Sequence, residues 1–151
     1  MFGTLKQFIG LVGVTAELEV EQYLPTYEPV LRGVVHLRAK HEQQIGEIKV
    51  TLVHEVHKSS AGHSYDARHQ IGEVTFIPTP SLIKAGETRS LTFALPFQRP
   101  PSRAEEDGFF GMVSRVSAQL NAGRECYWVI VKAKVKGAAR HPHDRKKLWP
   151  D

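Results

Sequence analysis

Eight histidines, one cysteine, an acidic run and a row of lysines are the residues of this 151-residue chain that could do chemistry. The histidines are His36, His41, His54, His57, His63, His69, His141 and His143. His54-Glu55-Val56-His57 looks at first like a zinc-protease motif. That chemistry needs two histidines four apart on one helical turn, with the glutamate as base. Here the two are three apart in a strand-like stretch, which sends them to opposite faces. His63 and His69 sit in or beside a polar loop, where a metal could join them to a strand histidine, but no third ligand has the spacing of a known site, so no metal or cofactor is assigned. Cys126 precedes two aromatic residues in strand register and reads as a small apolar strand residue. Glu105, Glu106 and Asp107 lie on a proline-containing stretch and read as solvated acids. Gly-rich phosphate loops, Gly-x-Ser-x-Gly and Cys-x-x-Cys are all missing from the sequence, and no catalytic constellation emerges.

The cations are more informative. Lys132, Lys134 and Lys136 alternate with apolar residues, so one strand face carries all three. Arg140, Arg145, Lys146 and Lys147 follow close behind. Like charges on one face repel unless they are solvated or met by anions. One reading is an edge whose lysines deter aggregation. The other is a patch for acidic or phosphorylated protein partners, held by charge-assisted hydrogen bonds. Nucleic acid is disfavoured, because aromatic residues do not alternate with these cations along the chain. A net charge of +4 is too weak by itself to mark a nucleic-acid binder.

The elements that must position these residues are strands. In 84–97, Leu91, Phe93, Leu95 and Phe97 alternate with polar or small residues after the turn at Ala85-Gly86-Glu87. Val14, Ala16, Leu18 and Val20 alternate with Thr15, Glu17 and Glu19. Leu31, Gly33, Val35 and Leu37 share a face, as do Ile48, Val50, Leu52 and His54. Prolines bracket a turn at 25–29, and 40–44 is a polar turn. The polar stretch 59–69 reads as a loop or hairpin tip, with a short strand over 70–78. The segment 98–111 reads as a long loop, 112–120 as a strand and 121–124 as a hairpin turn. Residues 127–136 read as the last strand, with Tyr127, Val129, Val131, Ala133 and Val135 on one face. Trp128 and Ile130 share the other face with the lysines.

Ahead of these strands, Phe2, Leu5, Phe8, Ile9 and Val12 fall at helical spacing. They predict a short amphipathic arm that covers apolar surface. The expected organisation is an arm over 1–13, an all-β antiparallel sandwich over 14–137 and a basic tail over 138–151. A single cysteine permits no internal disulfide, and no apolar run reaches the roughly 18 residues of a membrane span. The default expectation is the cytoplasm.

The order of these segments resembles the N-terminal domain of arrestin-like proteins, most closely the bacterial sporulation-control proteins of that superfamily. The matching pieces are Val14 to Val20, Tyr23-Leu24-Pro25, Val30 to Leu37, Ile45 to Leu52, Lys84-Ala85-Gly86-Glu87, Phe93 to Pro96 and Tyr127 to Ala133, before Gly137 and Pro142-His143-Asp144. The family's usual Pro-Gly-Glu turn reads Pro25-Thr26-Tyr27-Glu28-Pro29 here. The resemblance implies an arrestin- or immunoglobulin-like sandwich without enzymatic activity, acting as an adaptor or regulator through its surfaces. It places 138–151 where relatives link to a second sandwich. The alternative is a homo-oligomeric structural module. It would self-associate through Phe2, Leu5, Phe8 and Ile9, or through Trp128, Ile130 and Trp149.

Overall fold

Alternation becomes strand wherever one face can be buried. A computed structural model describes residues 13–60, 62–99 and 125–150. Its strands are β1 (Val14–Val20), β2 (Val30–Ala39), β3 (Gln43–Ser60), β4 (His63–Phe76), β5 (Leu82–Ile83), β6 (Thr88–Pro96), β7 (Glu125–Val135) and β8 (His143–Leu148). One sheet has the order β1-β2-β6, the other β4-β3-β7-β8, with β5 paired to the start of β3. Every strand pair is antiparallel. The two sheets make the expected β-sandwich. No helix among the described residues is long and apolar enough to cross a membrane.

The core lies between the sheets. Leu18, Leu31, Val35, Leu37, Phe93 and Leu95 of one sheet form a single buried cluster with Ile48, Val50, Leu52, Val129 and Val131 of the other. Burying each such side chain contributes about 1.5–3 kcal/mol relative to leaving it exposed. The turn before β6 has the expected geometry: Gly86 has φ 78°, a left-handed conformation that glycine adopts without steric cost.

Three expectations need correction. The polar stretch 59–69 is not a loop. β3 and β4 continue as paired strands up to Ser60 and His63, and only two residues connect them. The sequence hides this because the hairpin is polar on the described side chains of its tip. Its cross-strand partners are polar: His57 meets Asp66, and Glu55 meets Arg68. The strand expected over 70–78 is therefore the second half of β4, which ends at Phe76. The turn at 40–44 ends earlier, since Gln43 and Gln44 already pair with Ile83 and Leu82. Finally, β7 is not the last strand: β8 follows it inside the stretch read as a tail. The expected arm, the strand at 112–120 and the turn at 121–124 lie outside the described residues.

Backbone bonds tie the two sheets together along their borders. On one side, Trp149 N–H donates to Gln22 O and Leu24 N–H donates to Trp149 O, both at 3.0 Å. Leu18 N–H of β1 donates to Asp144 Oδ2 of β8 at 2.8 Å. On the other side, Gln98 N–H donates to Ile71 O at 3.0 Å, and Gly72 bridges Phe97. Gly72 is required there: a Cβ would sit 2.5 Å from Leu95 Cδ2 and 2.7 Å from Pro96 O.

Candidate functional site

β7 separates apolar from basic chemistry residue by residue. Tyr127, Val129, Val131, Ala133 and Val135 are buried against the core. Trp128, Ile130, Lys132 and Lys134 occupy the opposite face, and Lys136 continues the row into the following turn. Alternate residues stand about 6.8 Å apart, twice the antiparallel rise. All three lysines are exposed. This is the expected row, and it faces outward.

β8 widens the row into a surface. In its register Lys147 lies opposite Trp128, Arg145 opposite Ile130 and His143 opposite Lys132. Directly opposed residues share a face, so Arg145 and Lys147 join the β7 lysines. Lys146 has the other parity and is exposed at the border, while Arg140 lies exposed in the turn between the strands. On the far side of β7, Lys49 of β3 stands opposite Lys132 and pairs with Glu73 Oε1 at 3.2 Å. Among the described residues no carboxylate pairs with Lys132, Lys134, Lys136, Arg145 or Lys147.

The structure also interleaves aromatic rings with these cations, which the sequence order did not show. The Arg145 guanidinium lies 5.0 Å from the Trp128 ring centroid. Lys147 Nζ lies 5.4 Å from the Trp128 ring and 4.7 Å from the Trp149 ring. Contacts of this kind are worth about 0.5–1 kcal/mol at exposed sites. Trp128 is held from the neighbouring strand β3, because its indole N–H donates to Glu55 Oε2. The same carboxylate accepts from Cys126 Sγ at 3.5 Å and from Arg68 Nη2 at 3.2 Å. The indole hydrogen bond is the main reason the Glu55 carboxyl is held below its usual range; burial opposes it and Arg68 assists. In the sequence Glu55 enters only through the rejected His54-Glu55-Val56-His57 motif, not as a partner of Trp128. Its signal is positional: it stands opposite Cys126 on β3, next to the indole.

The remaining candidates separate. Trp128 and Ile130 are half-buried beneath the cations, while Trp149 is 38% exposed and bridges Tyr23, itself 51% exposed. Phe2, Leu5, Phe8 and Ile9, like Glu105 to Asp107, lie outside the described residues. His54 and His57 do point to opposite faces. His54 is buried and its Nε2–H donates to Glu125 Oε1 at 2.6 Å, with Tyr127 stacked 4.9 Å away. That bond leads the causes that lower the Glu125 carboxyl. His36 lies between Glu19 and Ser90 on the other sheet. Cys126 is buried, and burial pushes its thiol up, which makes it a poor nucleophile. Among the described residues no three histidine, cysteine, aspartate or glutamate side chains converge as metal ligands.

Comparison with known proteins follows the same lines. The SpoOM protein family matches residues 4–138. The crystal structure of Spo0M, a sporulation control protein from Bacillus subtilis, superposes with a TM-score of 0.58 at 16% identity. The match covers 92% of this chain and 49% of that one, so the chain spans about half the length of that protein. At this identity the likeness speaks for the fold, an arrestin-like sandwich. A search of curated proteins returned no match.

Proposed function

The chain belongs to the SpoOM protein family of sporulation-control proteins, and on that basis we propose that it is a non-enzymatic cytoplasmic adaptor or regulator that docks protein partners on the outer face of β7 and β8. One observation carries this reading. Five cations line one face of β7, its following turn and β8, two of them held on an indole, and no carboxylate among the described residues forms an ion pair with any of the five. An extended acidic or phosphorylated segment complements that face. Its carboxylate or phosphate oxygens would accept charge-assisted hydrogen bonds from lysines spaced at strand period.

Fluorescence anisotropy with an acidic and a phosphorylated peptide, at low and high salt, tests this. Wild-type binding should weaken steeply with salt. Changing Lys132, Lys134 and Lys136 together to Ala should weaken it at low salt and flatten the salt dependence. The same variant should lose any partner captured from the source cell's lysate. Unchanged affinity and salt dependence in the triple variant would remove the cationic face from the reading.

A further inference from the structure

β4 has a border that nothing described covers. Its inner border pairs with β3 along the whole strand. Its outer border meets the end of β6 only at Ile71 and Gly72. From Ser64 to Gln70 no other described strand pairs with it. An uncovered strand border is a template for another strand, and proteins usually guard such borders with charged side chains, proline or bulges. This one reads Ser64-Tyr65-Asp66-Ala67-Arg68-His69-Gln70, with no proline and with one acid and one base whose charges can complement each other.

The hairpin fixes which backbone groups face outward. Two residues connect the closing pair Ser60 and His63. The closing pair of a two-residue hairpin exchanges both of its hydrogen bonds, and hydrogen-bonded and non-bonded pairs then alternate. His63, Tyr65, Ala67 and His69 therefore aim their N–H and C=O groups at β3. Ser64, Asp66, Arg68 and Gln70 aim theirs outward.

We propose that this border pairs with the same border of a second copy, antiparallel and centred on Ala67. In that register Asp66 of one copy lies opposite Arg68 of the second, and Ser64 lies opposite Gln70. Each opposed residue is one whose backbone groups face outward, so each pair can exchange both bonds. Sliding by two residues one way sets Asp66 against Asp66, and the other way Arg68 against Arg68. Only the centred register unites opposite charges, and it is symmetric about a two-fold axis, as an isologous interface must be. That self-complementarity selects a second copy over an unrelated extended segment.

The side chains fit the same register. Asp66 and Arg68 are 48% and 61% exposed at their side chains, so both remain accessible. Within one copy, Arg68 Nη2 lies 3.2 Å from Glu55 Oε1, and His57 Nδ1 lies 2.8 Å from Asp66 Oδ1. Across the axis the order becomes Glu55, Arg68, then Asp66 and His57 of the second copy, so that no like charges are adjacent. The two larger sheets become one continuous sheet, with both cationic faces on the same side. On the docking role proposed above, and resting on it, such a dimer would bind a partner with two acidic segments by avidity.

Sedimentation velocity of the full chain, from low micromolar to near-millimolar concentration, tests the proposal. Wild type should pass from monomer to dimer. Asp66→Arg and Arg68→Asp should each raise the dimer dissociation constant by about 100-fold, since like charges then face one another across the axis. An equal mixture of the two variants should form heterodimer, because each supplies the charge the other lacks. Ser64→Pro removes one outward N–H without touching charge or the pairing with β3, and should weaken the dimer by a smaller factor. Circular dichroism of each variant confirms that the monomer is folded. A wild type that stays monomeric throughout, variants that dimerise as wild type does, or a mixture that stays monomeric would each overturn the interface. These outcomes are independent of peptide binding, so the two proposals fail separately.

Discussion

The two borders of the larger sheet are both polar in sequence, yet among the described residues one is closed and the other open. β8 reads His-Asp-Arg-Lys-Lys-Leu, but Leu148 is fully buried and Asp144 reaches back to a backbone N–H of β1. Two further bonds at Trp149 complete the seam. The upper half of β4 has no such anchor: none of its described side chains is fully buried, and its charges lie on the surface. One apolar side chain and a few backbone bonds thus decide whether a charged strand belongs to the fold or stands available to another chain. A closed border should contribute to stability, and an open one chiefly to association.

The largest effect should come from removing the anchor of the closed border. Leu148→Ala deletes a fully buried side chain and should cost about 2–5 kcal/mol. Urea unfolding measures it. Both tryptophans of the chain, Trp128 and Trp149, stand beside β8, so their emission reports this border directly. Loss of β8 should shift the emission to the red before the sandwich unfolds. A loss below about 1 kcal/mol would mean that the backbone seam closes this border without its apolar anchor.

A second effect concerns the interior beneath the open half of β4, where a polar cluster replaces the apolar core. His54, paired across the sheet with His69, holds the Glu125 carboxylate, and Tyr127 O–H donates to the same oxygen at 3.2 Å. Its folded pKa is lowered, so Glu125 contributes stability above the ordinary carboxylate value, near 4.3. That contribution is lost as the pH falls through the lowered folded value. The sign predicts that Glu125→Gln is less stable than wild type at neutral pH, and that the difference shrinks in acid. Urea midpoints across the acid range check it. A difference that stays constant with pH would mean that the carboxylate charge plays no part in holding this end together.

These contrasts also show what a sequence reveals. β7 is legible because buried positions alternate with more exposed ones from Tyr127 to Val135, and the outward lysines follow from that period. β8 is not, since Leu148 is its only buried residue and a single position makes no period. The hairpin tip carries a different signal. His57 with Asp66, and Glu55 with Arg68, are equidistant from the short turn that contains Gly62. Opposite polar partners placed symmetrically about a glycine turn mark an antiparallel hairpin even without apolar alternation. The indole-cation cluster was out of reach, because Trp128 meets Arg145 and Lys147 only through the β7–β8 register. Registers of that kind are set by the core, not by local residues.

The smallest effect should come from the open border itself. Arg68→Ala removes an ion pair whose arginine is mostly exposed, and such pairs contribute about 0.2–1 kcal/mol. Glu55 loses this partner but keeps the indole N–H of Trp128 and the Cys126 thiol, so its carboxylate is not left bare. The backbone pairing with β3 is untouched, because Arg68 aims its N–H and C=O outward in the hairpin register. Monomer stability, measured by urea unfolding at low protein concentration, should fall by less than about 1 kcal/mol. The same variant should nevertheless weaken self-association, since the Asp66 carboxylate of the second copy loses its cation. A large stability loss in the dilute monomer would erase the contrast between the borders. It would mean that the hairpin tip is held as firmly as β8, and by its charges alone.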